Sequence, residues 1–395
     1  MTSDVTKPRV GRLSLAALGI LLACGEPART DAPPPVPLGA ASDSLAAPRT
    51  LIRWLAETQN GVVVIHDQRD GGLMRTRAGS NDLVPVTTPG AGPLEVRRVQ
   101  RILRGPGDSL WVMDIVGVKA VVLDADGRPK REERSPIPSS ATASLNFGWV
   151  RAVSEAGDWY ASDRTMRFAP TFYVDDSASV VRWRRADGRT DTLARVGMRP
   201  IEFTARSIPP RLDAFDPIDA WGVFRDGRVI VVRARDYGIE LVEPDGRVIH
   251  AGRGPTALIA LTRADAEYTR DSLNRERAEL MQQMPGNPLG AQAGVAAGSR
   301  PLPALPDPLP SHWPLLRGDE ISVDWQDRAW VRVRSAPRDT GASRYDLFDR
   351  DGRFLTAVAV AAGGRVIGFG RQAVFVAWSD DDGLQWVKRH PMPPP

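Results

Sequence analysis

Asp-Gly-Arg occurs five times in this chain, at 126–128, 187–189, 226–228, 245–247 and 351–353. Asp-Gly favours a hairpin turn, because glycine reaches the positive φ that primed two-residue turns require. Four of the five sites follow a short apolar run. In Ala120-Val121-Val122-Leu123-Asp124, Ile239-Glu240-Leu241-Val242-Glu243 and Tyr345-Asp346-Leu347-Phe348-Asp349 the run ends in an acid, turns and restarts at arginine. A second apolar run precedes each: Leu110-Trp111-Val112-Met113, Val229-Ile230-Val231-Val232 and Ala329-Trp330-Val331. Near the two ends of the pattern lie Val62-Val63-Val64-Ile65 and Val374-Phe375-Val376. Such continuous runs suit fully buried strands. Polar segments such as 129–134 suit outer edges.

Grouped this way, six units cover about 51–88, 97–137, 147–198, 217–253, 316–360 and 362–391, the last with three clear strands. Four strands per unit, repeated every 40 to 60 residues or roughly so, predicts an all-β fold. The expectation is a six-bladed β-propeller of four-stranded antiparallel blades over 50–391, with an insertion at about 256–315. The chain ends in Pro393-Pro394-Pro395, which cannot donate ladder hydrogen bonds. Residues 46–55 are therefore expected to complete the last unit and close the ring.

The segment Gly107-Asp108-Ser109-Leu110-Trp111-Val112-Met113-Asp114, followed by a strand and Asp126-Gly127-Arg128, resembles the repeats of NHL-type six-bladed β-propellers. The connectors Gly90-Ala91-Gly92-Pro93, Gly252-Arg253-Gly254-Pro255 and Pro200-Ile201-Glu202-Phe203 resemble those of six-bladed propeller lipoproteins of bacteria. The resemblance covers nearly all of 51–391 and speaks to fold more than to function.

The insertion opens with Thr262-Arg263-Ala264-Asp265, a capping-box-like start. A charged helix is expected to about Met284, stopped by Pro285-Gly286. Ala266, Leu273, Leu280 and Met284 form a narrow stripe expected to lie on the propeller. Residues 286–314 read as a surface excursion rich in Gly, Pro and Ala.

The N-terminus has a separate logic. Lys7, Arg9 and Arg12 precede an apolar run at 13–22, and Leu21-Leu22-Ala23-Cys24-Gly25 ends it. The run is shorter than the ~20 residues a spanning helix needs, and it fits a secretory signal. The ending resembles the bacterial lipobox. That resemblance implies a signal peptide at 1–23, lipidation of Cys24 and a lipid-anchored envelope protein, with Gly25 leaning to the outer rather than the inner membrane. Cys24 is the sole cysteine, so neither disulfides nor thiol metal sites arise. Residues 24–49, rich in Pro and Ala, are expected as a disordered tether.

Removing 1–23 lowers the formal charge from +4 to +2. Acids and arginines are interleaved, so nucleic acid is not expected as a partner. His66, His250, His312 and His390 lack metal-ligand spacing, and no nucleophile elbow or phosphate loop is present. Asp67, Asp114, Asp163 and Asp324 flank inner strands, with Asn146 near another. Propellers of the gluconolactonase type hold Ca²⁺ in the axial channel with such oxygens, so a Ca²⁺-dependent lactonase-like hydrolase is the alternative reading. No other cofactor and no catalytic residue is expected. Of the eleven tryptophans, Trp111, Trp149, Trp159, Trp183, Trp221, Trp325, Trp330, Trp378 and Trp386 sit in or beside strands. They suit wedges between blades, or a surface on which a ligand stacks. Binding of a protein, peptide or glycan, or a scaffold role, is thus expected ahead of catalysis. A channel mouth of Trp, Tyr and Arg would favour binding; an acid cluster would favour the hydrolase.

Overall fold

In the computed structural model of the chain, the glycines of all five Asp-Gly-Arg sites have positive φ, between 68° and 91°. The turns are nonetheless longer than two residues. Between paired Leu123 and Pro129, the Gly127 N–H donates to Asp124 C=O at 3.0 Å and the Asp124 N–H to Arg128 C=O at 2.9 Å. The acid before each of two turns explains the length. Asp124 Oδ1 accepts the N–H groups of Asp126 and Arg128, at 2.9 and 2.8 Å. Asp349 does the same for Asp351 and Arg353. A carboxylate bonding its own backbone two residues on stabilises the wider turn.

The structure describes residues 32–394 apart from 46–47, 69–71, 78, 137–149, 165, 169–171, 200, 204–212, 283–301, 303, 319 and 381. The expected signal peptide, Cys24, Asn146, Trp149, Met284, residues 286–301 and the Leu280 side chain lie outside the described residues.

Four sheets stand separately, each built on four antiparallel strands in chain order, the last with Val36–Pro37 added as a fifth, parallel edge strand. The first has Val99–Arg104, Leu110–Asp114, Lys119–Leu123 and Pro129–Arg134. The second has Val150–Val153, Trp159–Asp163, Ser177–Trp183 and Thr190–Gly197. Ala220–Val223, Val229–Val232, Gly238–Val242 and Val248–Arg253 make the third; Ile321–Val323, Ala329–Val333, Ser343–Phe348 and Phe354–Val360 the fourth. An eight-stranded sheet joins two further groups. One is Ile52–Glu57, Val63–Asp67, Gly72–Thr76 and Leu83–Pro85; the other is Arg365–Phe369, Ala373–Ser379 and Gln385–Pro391, with Asp43–Ser44 as its fourth and outermost strand. They meet where Gly368 and Phe369 pair in parallel with Leu55 and Ala56. The six expected units are therefore not six separate sheets: the first and last merge through their innermost strands. Among the described residues the arrangement is propeller-like and all-β apart from one α-helix and two short 3-10 turns.

The apolar runs account for the packing. Val63–Asp67, Leu110–Asp114 and Val229–Val232 are buried along their whole length. Clusters fill the space between successive groups. Val64 and Leu73 meet Leu110 and Val112. Trp111 and Met113 meet Val150 and Trp159. Tyr160 and Val180 meet Trp221 and Val231, and Ile230 and Ile239 meet Val331 and Phe348. Trp330 and Leu347 meet Val374 and Val376. Finally Phe375 and Val387 meet Ile52 and Ile65, returning the series to its start.

Two expectations change. Part of the segment read as a tether over 24–49 lies on the ring. Val36–Pro37 pairs in parallel with Val358 and Ala359, Asp43–Ser44 pairs with Arg389 and Lys388, and Leu45 is buried. The reason is edge chemistry: outer strands present unpaired backbone groups, which this segment covers. Ring closure thus runs through 43–45 and on to Arg49, which exchanges backbone hydrogen bonds with Gln385 at 2.7 and 2.6 Å. Among the described residues the expected segment joins that edge only at Arg49, while Ile52–Glu57 is an innermost strand. Residues 201–203, read as a connector, form a strand with Phe172–Val174 and Met166–Phe168 in an added three-stranded sheet. The helix spans Arg263–Gln282, and Thr262 Oγ1 accepts the Asp265 N–H at 3.1 Å. Ala266 is buried with Phe215 and Trp313, and Leu273 lies against that cluster.

Candidate functional site

The innermost strands surround a central cavity of about 190 Å³. Its wall takes residues 54–56, 101–105, 151–153, 221–225, 321–325 and 367–369, a stretch from each strand group. Strand alternation sends every second side chain of such a stretch to one face.

Four arginines line the wall, Arg101, Arg104, Arg151 and Arg225. The Arg101 guanidinium lies 4.3 Å from the Trp54 ring centroid, and that of Arg151 lies 5.1 Å from Trp221. Each pairs a cation with an indole from a different strand group. Arg151 Nη1 also donates to the Trp221 carbonyl at 3.3 Å. Burial pushes Arg101 down to about 10, with Arg53 adding repulsion. Burial likewise pushes Arg151 down to about 9, with Arg101 adding repulsion. Both stay charged at neutral pH. Among the described residues Arg101 has no ion-pair partner.

At the C-terminal ends of these strands the charges are balanced instead. Asp108 receives Arg104 at 2.6 Å, Arg371 at 2.5 Å and Arg225 at 3.3 Å. Burial pushes the Asp108 carboxyl up, but the three arginines together hold it below its ordinary value. Arg225 also binds Glu155 at 2.9 Å, and its N–H donates to Asp327 at 3.0 Å. Trp325 lies between Arg104 and Arg371, 4.3 and 5.6 Å from its ring centroid.

The acids singled out in the sequence are occupied otherwise. Asp324 accepts the backbone N–H groups of Gln326 and Arg328, the Arg328 Nε at 2.8 Å and the Trp330 Nε1 at 2.9 Å. Asp114 accepts the N–H groups of Arg97, Arg98 and Val116. Asp67 accepts the N–H groups of Thr50 and Leu51. Asp163 is exposed at a strand end. Asp67, Asp114 and Asp324 clamp loops, and of the four only Asp324 reaches the cavity wall, so they do not converge on the axis as a Ca²⁺ site requires. Among the described residues, no group of three or more His, Cys, Asp or Glu is placed to hold a metal.

The histidines are scattered. His66 is buried with Nδ1 lacking a partner, and burial pushes it down to about 4. His390 Nδ1 bonds the Gly39 carbonyl at 2.6 Å. His312 lies beside Ser311, and exposed His250 lies 3.6 Å from Glu240. Trp111, Trp159 and Trp330 lie in seams between groups, as expected of wedges. Trp221 and Trp325 reach the cavity wall, joined by Trp54. Arg101 and Arg151 were not singled out by sequence reasoning. The available signal was a charge inside an apolar strand, as in Val99-Gln100-Arg101-Ile102-Leu103 and Val150-Arg151-Ala152-Val153.

No protein-family model matches the chain, and no curated protein matches it. Its neighbours among solved structures are β-propeller proteins. A member of the DUF4221 family from Bacteroides vulgatus is 9% identical, with a TM-score of 0.41, covering 89% of this chain and 97% of its own. A gluconolactonase from Xanthomonas campestris is 12% identical, with a TM-score of 0.39, over 92% of this chain and 99% of its own. A calcium-binding regucalcin from Agrobacterium tumefaciens is 12% identical, with a TM-score of 0.37, over 90% and 96%. At these identities they transfer no activity to this chain.

Proposed function

We propose that the chain is an exported, lipid-anchored six-bladed β-propeller that serves as a binding module, with the axial cavity as its ligand site. The blade count is supported by six successive apolar seams, the last returning to the first strand group. It counts the eight-stranded sheet as two blades joined at Gly368. Export and lipidation rest on residues 1–24, with the outer membrane as destination. The ligand is a protein, peptide or glycan presenting a group to the cavity, or a free molecule of that size.

The observation that carries the reading is the composition of the cavity wall. Arg101, Arg151, Trp54, Trp221 and Trp325 line it, and the acids on the same wall are already held, Glu155 by Arg225, Asp324 by Arg328 and Asp327 by the Arg225 N–H. Guanidinium and indole groups at a concave site favour recognition of a ligand.

The test is capture from detergent-solubilised envelope. Ser322 is exposed on the cavity wall, so Ser322→Trp fills the cavity without disturbing a buried contact. Wild type should retain a ligand that Ser322→Trp does not. Equal capture by both, or Ca²⁺-stimulated lactone hydrolysis by the purified chain, overturns the reading in favour of the surface or of the hydrolase. Cys24→Ser should leave the protein unprocessed or move it to the soluble periplasmic fraction. Full processing with continued membrane attachment would sink the lipid anchor.

A further inference from the structure

We propose that the axial cavity binds a carboxylate carried on a small apolar body, with Arg101 as its counter-charge. This rests on the axial cavity being the ligand site. The positive field there is unbalanced. Arg101 is charged, lines the cavity and has no ion-pair partner among the described residues. Arg53 and Arg151 act on it or beside it with the same sign. Of the acids on the wall, Glu155 is paired with Arg225 and Asp324 with Arg328, while Asp327 accepts the Arg225 backbone N–H and burial pushes its carboxyl up. Asp108, off the wall, is engaged by Arg104, Arg225 and Arg371. A guanidinium held in a partly dry wall recruits an anion, and its planar fork matches a carboxylate.

The rest of the wall selects what carries the charge. Leu55, Val223, Val323, Ile367 and Phe369 face the same cavity. A volume of about 190 Å³ exceeds the ~150 Å³ in which an apolar protein cavity holds benzene. It therefore has room for one ring-sized body and a carboxylate. Phosphate, strongly hydrated and without an apolar part, would lose its water against these walls and gain nothing from them.

Calorimetry on the full chain in detergent at neutral pH tests this. The probes are benzoate, benzyl alcohol, inorganic phosphate, and acetyl-alanyl-phenylalanine as free acid and as amide. Benzoate should bind about tenfold or more tighter than benzyl alcohol or phosphate, a gap that a charge-assisted pair supplies. The dipeptide acid should exceed its amide by a similar factor. Dipeptide acid above benzoate identifies a chain terminus as the source, and the reverse order identifies a free acid. Arg101→Gln should abolish the preference for acid over neutral analogue, and Arg101→Lys, which keeps the charge and loses the fork, should weaken it. Wild-type binding alone decides the matter if Arg101→Gln fails to fold. Benzyl alcohol or phosphate matching benzoate, or an unchanged preference in folded Arg101→Gln, overturns the proposal. No benzoate binding while Ser322→Trp still blocks envelope capture overturns this proposal alone. Loss of both results overturns the cavity as ligand site.

Discussion

Gly368 lies against the carbonyl of Leu55, close enough that a Cβ on Gly368 would run into the Leu55 oxygen. The two residues are partners in the parallel pairing between the innermost strands of the last and first groups. This is where the ends of the ring meet. Only a residue without a side chain allows the backbones to approach this closely.

Gly368→Ala should therefore separate the two strands and destabilise the fold by about 2 kcal/mol or more, the scale of overpacking in a filled interior. Gly188→Ala offers a comparison, since a Cβ there meets nothing within 4 Å; its cost comes from a φ of 68° and should be about 1 kcal/mol. Urea unfolding of both variants checks this. Equal midpoints for wild type and Gly368→Ala would show that the seam tolerates a methyl group.

The N-terminal segment should stabilise the ring. The N–H groups of Leu38, Ser42 and Leu45 donate to Ala359, Arg389 and Val387, and Leu45 is buried in the closing seam. Such bonds contribute about 1 kcal/mol each and the leucine about 2, before the entropy of ordering the segment. Deleting 25–45 should lower the melting temperature by on the order of 5 °C, while deleting 25–31 should leave it unchanged. Identical melting of the two truncations would mean that these pairings add nothing.

His66 should make stability depend on pH. Burial holds it at about 4, below its ordinary 6.5. The unfolded chain thus takes up a proton between pH 6.5 and 4 that the folded chain refuses. The stabilisation is complete above 6.5 and is lost as pH falls towards 4, up to about 3 kcal/mol. His66→Gln should remove that part of the acid loss in melting curves taken from pH 7 to 4. Parallel curves for wild type and variant would refute the assignment.

Asp346 is fully buried. It accepts hydrogen bonds from Tyr237 Oη at 2.7 Å, Thr256 Oγ1 at 2.8 Å and Arg344 Nε at 2.7 Å. Asp346→Asn keeps the shape, removes the charge opposite Arg344 and leaves one accepting oxygen where the carboxylate offered two to Arg344 and the hydroxyls. The expected cost is about 3 kcal/mol or more. Tyr237→Phe loses a single bond and should cost nearer 1. Chemical denaturation ranks the two, and a Tyr237→Phe cost equal to that of Asp346→Asn would contradict the network.

The strand groups were legible in the sequence, because both signals that define them are local. A run such as Val229-Ile230-Val231-Val232 can only be buried, and Asp-Gly-Arg after an acid can only turn. Their spacing along the chain implied a ring of similar units, and the tryptophans at 111, 159 and 330 read correctly as wedges. What stays illegible is whatever depends on how the innermost strands converge. Arg101 meets Trp54, and Arg151 meets Trp221 seventy residues away, only because neighbouring sheets converge on one axis. The same convergence leaves Asp67, Asp114 and Asp324 clamping loops rather than lining a metal site. That ring closure starts at Asp43–Ser44 and takes only Arg49 from the described part of 46–55 was likewise decided by which backbone edge lay open beside Gln385–Pro391. Turn and burial preferences act over a few residues, whereas the cavity is made by contacts between residues far apart in the chain, and no local pattern records those.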